Sequence, residues 1–199
     1  LMSTQPSQRS VFQPDLPQGL KYLPDFISAE EADYLVRKID TQPWCDDLKR
    51  RVQHYGFRYD YKARQARAED YLGPLPSFLQ GLAERMTRAG HFGFVPDQAI
   101  VNEYMPGQGI SAHVDCRPCF GDVIASLSLL SSCVMCLENT KVSQKTDLVL
   151  GPSSLLILSG EARHLWTHAI PARKSDMVND QKQPRSRRLS LTFRQMRFN

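Results

Sequence analysis

From residue 99 onward the apolar residues of this chain come in short β-rich runs, at 99–104, 124–130, 133–137, 147–150, 155–159 and 189–194. Turn signals such as Pro106-Gly107 and Gly151-Pro152 divide them. Strands of this length are not stable alone, so the second half of the chain must pair and close into a sandwich or jelly roll. Residues 172–187 are polar and aperiodic and read as a long surface loop.

Upstream the period changes. Ser28 is followed three residues later by Glu31, a capping-box signature, and Ala32, Leu35, Val36 and Ile39 then share one helical face. A second helix is expected over 77–89, where Phe78, Leu79, Leu82 and Met86 share a face and Gly90 supplies the stop. Both helices are expected to support a sheet, which makes the fold α+β with a mainly β core. At 199 residues the chain can bury one core and is short of the length at which domains usually divide. The expected organisation is a flexible tail over 1–18, rich in Ser, Gln and Pro, followed by a single domain over 19–199.

With 41% hydrophobic and 23% charged residues, the composition is that of an ordinary globule, and no apolar run approaches the roughly twenty residues that span a bilayer. The first residues contain neither a basic segment nor an apolar one of the kind a secretory signal needs, so an intracellular location, cytoplasmic or nuclear, is the expectation. Five cysteines, an odd count, are expected to be reduced thiols rather than a disulfide framework. The formal charge is only +4, but Lys49, Arg50 and Arg51 form one basic cluster and Arg185, Arg187 and Arg188 another, both able to meet phosphate.

The chemistry begins at His113-Val114-Asp115. Two residues apart on an extended segment, an imidazole and a carboxylate project to the same side and can reach one metal ion. His168 is a third candidate ligand. Two His and one carboxylate leave open positions on the ion, which suits an iron(II) that must bind a co-substrate and dioxygen together. Arg188 and Arg194 lie six apart on an expected strand, so both guanidinium forks face one side and can grip a dicarboxylate. Asn102 and Tyr104 share a strand face just upstream and can hydrogen-bond carboxylate oxygens. The bland alternative makes these residues half-buried core and solvated surface, and it must hold at every position together.

This ordered set, ending in Arg-Leu-Ser-Leu-Thr-Phe-Arg at 188–194, resembles the AlkB family of nucleic-acid dioxygenases over residues 20–197. Asn-Glu-Tyr-Met-Pro-Gly-Gln-Gly-Ile at 102–110 and Leu-Trp-Thr-His at 165–168 are similar to the branch that hydroxylates wobble uridines in tRNA. The resemblance implies a double-stranded β-helix (jelly roll) with N-terminal supporting helices, and Fe(2+) and 2-oxoglutarate as cofactors. It implies Arg188 and Tyr104 on the distal carboxylate, with Asn102 and Arg194 near the carboxylate that binds iron. The implied partner is nucleic acid, tRNA or other RNA before alkylated DNA, and the chain is expected to act as a monomer. Two positions depart from the founding repair enzyme of the family: Arg117 stands where it has an acidic base contact, and Ser190 where it has an Asn. The RNA-recognition and methyltransferase domains of the animal wobble enzymes are not found in these 199 residues, so the expectation is that the chain finds its substrate unaided.

Residues 54–61 alternate aromatic with small or polar side chains, and the similar region in AlkB enzymes forms a lid over a flipped base. Tyr55, Phe57, Arg58, Tyr59 and Arg117 are therefore the expected substrate contacts, although a strand with one aromatic face would also pack into a core. A dioxygenase of protein or small-molecule substrates is an alternative. A further one is a non-catalytic zinc ribbon built on Cys116-x-x-Cys119 and Cys133-x-x-Cys136. Against it, residues three apart on a strand face opposite sides.

Overall fold

The computed structural model describes residues 16–198, so the expected tail lies outside the described residues except for its last three positions. Of those, Pro17 is buried and the Gln18 carbonyl accepts from the Ala162 amide, so the ordered fold begins earlier than expected. The described chain opens with β1 (Leu20–Leu23), α1 (Ala29–Asp40), β2 (Val52–Tyr55) and α2 (Ser77–Arg88). There follow β3 (Gln98–Tyr104), β4 (Ile110–His113), β5 (Phe120–Leu130), β6 (Cys133–Asn139), β7 (Gln144–Leu150) and β8 (Leu155–Leu158). A short helix, α3 (Gly160–His164), leads to β9 (Thr167–Ile170), β10 (Ser175–Val178), β11 (Gln181–Pro184) and β12 (Arg188–Met196).

Six strands form one antiparallel sheet in the order β1-β8-β5-β12-β3-β2, and β4-β9-β6-β7 form the other. On the long strands of the larger sheet, side-chain alternation sorts residues between two cores. Leu189, Leu191 and Phe193 of β12, with Ala125, Leu127 and Leu129 of β5, pack against Leu35 and Ile39 of α1 and Leu79, Leu82 and Met86 of α2. Ile124, Leu156 and Leu158 face the smaller sheet instead, where Met135, Leu137 and Ile170 meet them. Each buried aliphatic or aromatic side chain contributes about 1.5–3 kcal/mol, so the helices are held mainly by this burial. α1 starts as expected, with the full Ser28–Glu31 capping box, and α2 starts at Ser77 as expected and ends one residue early, at Arg88, ahead of Gly90 with φ +85°. No helix among the described residues is long and apolar enough to cross a membrane.

Two expectations are corrected here. Residues 172–187 are not a loop, because they contain the antiparallel β10–β11 hairpin, turned at Asn179 and Asp180 with φ of 50° and 59°. That is the two-residue, positive-φ connection whose twist matches a hairpin, and its polar strands hid it from a search for apolar runs. The thiols are not all reduced either: Cys116 and Cys119 are joined in a disulfide. A tight turn, closed by the Phe120 amide donating to the Cys116 carbonyl, brings their Cα atoms to 5.3 Å, within bridging range. Cys133 is buried while Cys136 sits half-exposed opposite Asp147, so the four sulfurs do not converge on one ion.

Candidate active site

The open end of the jelly roll holds a cleft of about 540 Å³, mouth included, lined by residues from both sheets. Its metal-ligating group is His113, Asp115 and His168, whose donor atoms lie within 4.8 Å of one another. The two histidines are direct cross-strand partners, His113 on β4 and His168 on β9. The register between Ile110↔Ile170 and His113↔His168 takes one extra residue on β4, a bulge that re-aims the strand so that Ile110 and His113 both line the cleft. His113 Nδ1 lies 2.8 Å from the Ser111 carbonyl. A proton held there leaves the Nε2 lone pair for a metal.

Asp115 is placed differently from what strand alternation suggested. β4 ends at His113, and Asp115 belongs to the turn that follows. Its carboxylate is buried, with Oδ1 3.3 Å from His113 Nε2 and 3.4 Å from His168 Nε2, and Oδ2 3.2 Å from Arg194 Nε. Burial alone would raise its pKa, but the Arg194 charge and the two imidazoles hold it well below the ordinary carboxylate range. The carboxylate therefore stands as an anion beside two imidazoles, a set that fits a divalent iron.

Beside it, Arg188 and Arg194 project from β12 into the cleft as their even spacing required. Arg188 Nη2 donates to Ser128 Oγ at 2.8 Å, while its Nε and Nη1 are buried with no partner. Tyr104 is buried under Arg188, the guanidinium carbon 5.4 Å from the ring centre, and burial raises its phenol above the ordinary value. Asn102 Oδ1 accepts from Arg50 Nε at 3.0 Å, which leaves the amide N–H groups of Asn102 as donors. Ser190 lines the same wall. A buried guanidinium with two unpaired donors is costly unless an anion completes it, so this corner fits one carboxylate of a dicarboxylate.

The expected aromatic lid is only partly assembled. Gly56 takes φ +76°, and a Cβ there would come within 1.9 Å of the Asp97 carbonyl oxygen, so the chain turns at a residue no other type could replace. The stripe is split in consequence. Tyr55 packs edge-on against Phe78 of α2, and Phe57 is buried between Tyr71 and Phe198, so neither meets the cleft and both leave the substrate set. Arg58 is exposed and paired with Asp47. Tyr59 does turn to the site: it lies against Phe120, over which the Arg194 guanidinium stacks at 4.3 Å, and meets Tyr61 edge-on. His54 joins this group beside Tyr61, its pKa lowered to about 4 by burial and by Arg58 and Arg194, so the ring is neutral. Arg117 is exposed and donates to the His164 carbonyl.

The basic clusters also resolve into two kinds. Arg51 and Arg187 both bind Glu103, Arg187 also reaches Asp40, and Arg185 is buried on Asp176, so these three serve the fold. Arg50 instead lies between the rings of Tyr61 and Tyr104, with no carboxylate partner among the described residues. Sequence reasoning missed Ser128, Phe120 and Arg163 as supports of the site. Ser128 alone left a signal, a polar residue on the inward face of an apolar strand.

Residues 19–194 match the family described as the 2OG-Fe(II) oxygenase superfamily. The chain is 39% identical over 202 residues to the "Alkylated DNA repair protein ALKBH8 homolog" of Arabidopsis thaliana, covering 90% of this chain and 58% of that protein. It is 38% identical over 174 residues to the "tRNA (carboxymethyluridine(34)-5-O)-methyltransferase ALKBH8" of Macaca fascicularis, covering 82% of this chain and 26% of that one. In fold it is similar to the solved structure of OsALKBH1, with a TM-score of 0.66 at 20% identity over 92% of this chain and 99% of that chain.

Proposed function

The chain belongs to the 2OG-Fe(II) oxygenase superfamily, and on that premise we propose that residues 19–199 form one AlkB-like dioxygenase domain oxidising a modified base in nucleic acid, RNA before DNA. The observation that carries the site assignment is Arg188, which keeps two buried nitrogens unpaired and lines the cleft that also holds His113, Asp115 and His168. In this reading the triad holds Fe(2+), Arg188 and Tyr104 take the distal carboxylate of 2-oxoglutarate, and Asn102 and Arg194 lie beside its metal-binding end. Held there, Fe(2+) and 2-oxoglutarate would activate dioxygen as the oxidant, one oxygen atom entering succinate as 2-oxoglutarate loses carbon dioxide and the other going to a substrate carbon.

The protein's own contribution is orientation and dryness. Ile110, Ile124, Leu156 and Leu158 wall the cleft, and a low-polarity wall strengthens the charge-assisted bonds to the co-substrate. Tyr59 and Tyr61, backed by the buried Phe120, offer stacking faces suited to an unstacked base, and Arg50 beside Tyr61 and the exposed Arg117 offer charge for phosphate. A nucleotide in a tRNA loop is already largely unstacked, which removes most of the few kcal/mol needed to flip a paired base. The names of the two relatives point to different nucleic acids, so the test is a direct comparison. Nucleoside mass spectrometry should show a changed tRNA uridine after incubation with enzyme, Fe(2+) and 2-oxoglutarate. Faster repair of 1-methyladenine or 3-methylcytosine in DNA at the same salt, with tRNA unchanged, would reverse the order.

A further inference from the structure

Arg163 is the largest fully buried side chain among the described residues, 2% exposed, and it has no carboxylate partner among them. A guanidinium so placed must satisfy its donors on neutral acceptors. It does so on four backbone carbonyls: Nη1 donates to Asp115 at 2.8 Å, Nη2 to Cys116 at 3.3 Å and Phe120 at 3.4 Å, and Nε to Gly121 at 3.1 Å. The Asp115 and Cys116 carbonyls belong to the turn that leaves the end of β4, and those of Phe120 and Gly121 to the first residues of β5, where that turn ends. Arg163 itself sits on α3, the short helix that delivers the chain into β9 and His168.

The three candidate ligands are therefore held by unequal means. His113 and His168 are locked opposite one another by a strand pair, whereas Asp115 has no ladder partner and depends on the turn. We propose that Arg163 is the positioning residue of the metal centre, fixing the Asp115 backbone, and with it the carboxylate, relative to the helix that delivers His168. The inference rests on the metal reading of the triad. The planar fork is what the task needs, because three nitrogens donating outward from the edges of one rigid plane reach four carbonyls at once, which a single ammonium cannot do. Partners that orient a ligand in this way commonly account for 10–100-fold in metal affinity.

The test is anaerobic Co(2+) titration, by calorimetry and visible absorption, of the wild type, Arg163→Met, Arg163→Lys and Leu127→Ala. Leu127 packs in the helix-backed core, so its truncation lowers stability without touching the turn. Arg163→Met should bind Co(2+) about 10–100-fold more weakly and with a changed absorption envelope, and Arg163→Lys should recover part of the affinity. Leu127→Ala should melt earlier yet bind Co(2+) as the wild type does. Wild-type affinity and spectrum in Arg163→Met, or failure of both Arg163 variants to fold, would overturn the inference, since the fork would then serve only the fold. A wild type that binds no Co(2+) would instead bring down the metal reading, and this inference with it.

Discussion

On one side of β12, Leu189, Leu191 and Phe193 are fully buried in the apolar core formed with the helices. On the other, Arg188, Ser190 and Arg194 are nearly as buried but face a cleft, and Arg188 keeps two nitrogens without partners. The same strand thus carries one saturated face and one held incomplete. A buried unpaired polar group costs about 1–3 kcal/mol, and more when charged, so the second face persists because the first over-determines the position of the strand. Stability and binding are divided between alternate residues of a single segment, and the two should be separable by mutation.

The largest separation is expected at the metal. His113→Ala should lower succinate formation by more than about a hundredfold, since a direct ligand matters more than the outer partners worth 10–100-fold, while the melting temperature stays close to wild type. Full turnover would mean that the cleft face is not reserved for an ion. Next comes the opposite face: Phe193→Ala should cost about 3–5 kcal/mol in denaturant unfolding and leave the 2-oxoglutarate requirement of the folded protein unchanged. A shifted requirement would show that the two faces are coupled through the strand. Arg188→Ala should then raise that requirement by about 2–5 kcal/mol, with Arg188→Lys recovering only part because the fork is lost. Arg188→Met should also make the ligand-free protein no less stable, since it removes a buried unmatched charge. A marked loss of stability in Arg188→Met would contradict the picture of an incomplete face.

The smallest effect concerns Glu103, which lies outside both faces and joins Arg51 and Arg187 across the sheet edge. The Arg51 hydrogen bond holds its carboxyl below the ordinary value, with burial opposing and Arg187 adding. A carboxyl depressed in the folded state contributes stability that is complete above its unfolded value and is lost as pH falls through the folded one. Glu103→Gln should therefore flatten the acid limb of the melting profile below about pH 4.3 without altering turnover at neutral pH. An unchanged acid limb would show that the network adds nothing to stability.

Much of this was written locally. The capping box of α1, the apolar stripes of both helices, the strands β3, β5, β6, β7, β8 and β12, and the pairing of Arg188 with Arg194 on one face all follow from the backbone period within a dozen residues. His113, Asp115 and His168 were recognisable as residue types in order, and Gly56 inside an alternating run was a legible break that went unread. Tertiary structure alone decided which carboxylate meets which arginine, and so that Arg51, Arg185 and Arg187 hold the fold while Arg50 is left for the cleft. It also decided the bulge that sets His113 opposite His168, the separation of Tyr55 and Phe57 from Tyr59, and the four carbonyls gathered by Arg163. The physical reason is one of range. Period and propensity act along contiguous backbone, whereas an ion pair or a clamped turn depends on distances between segments dozens of residues apart, which only the folded chain brings together.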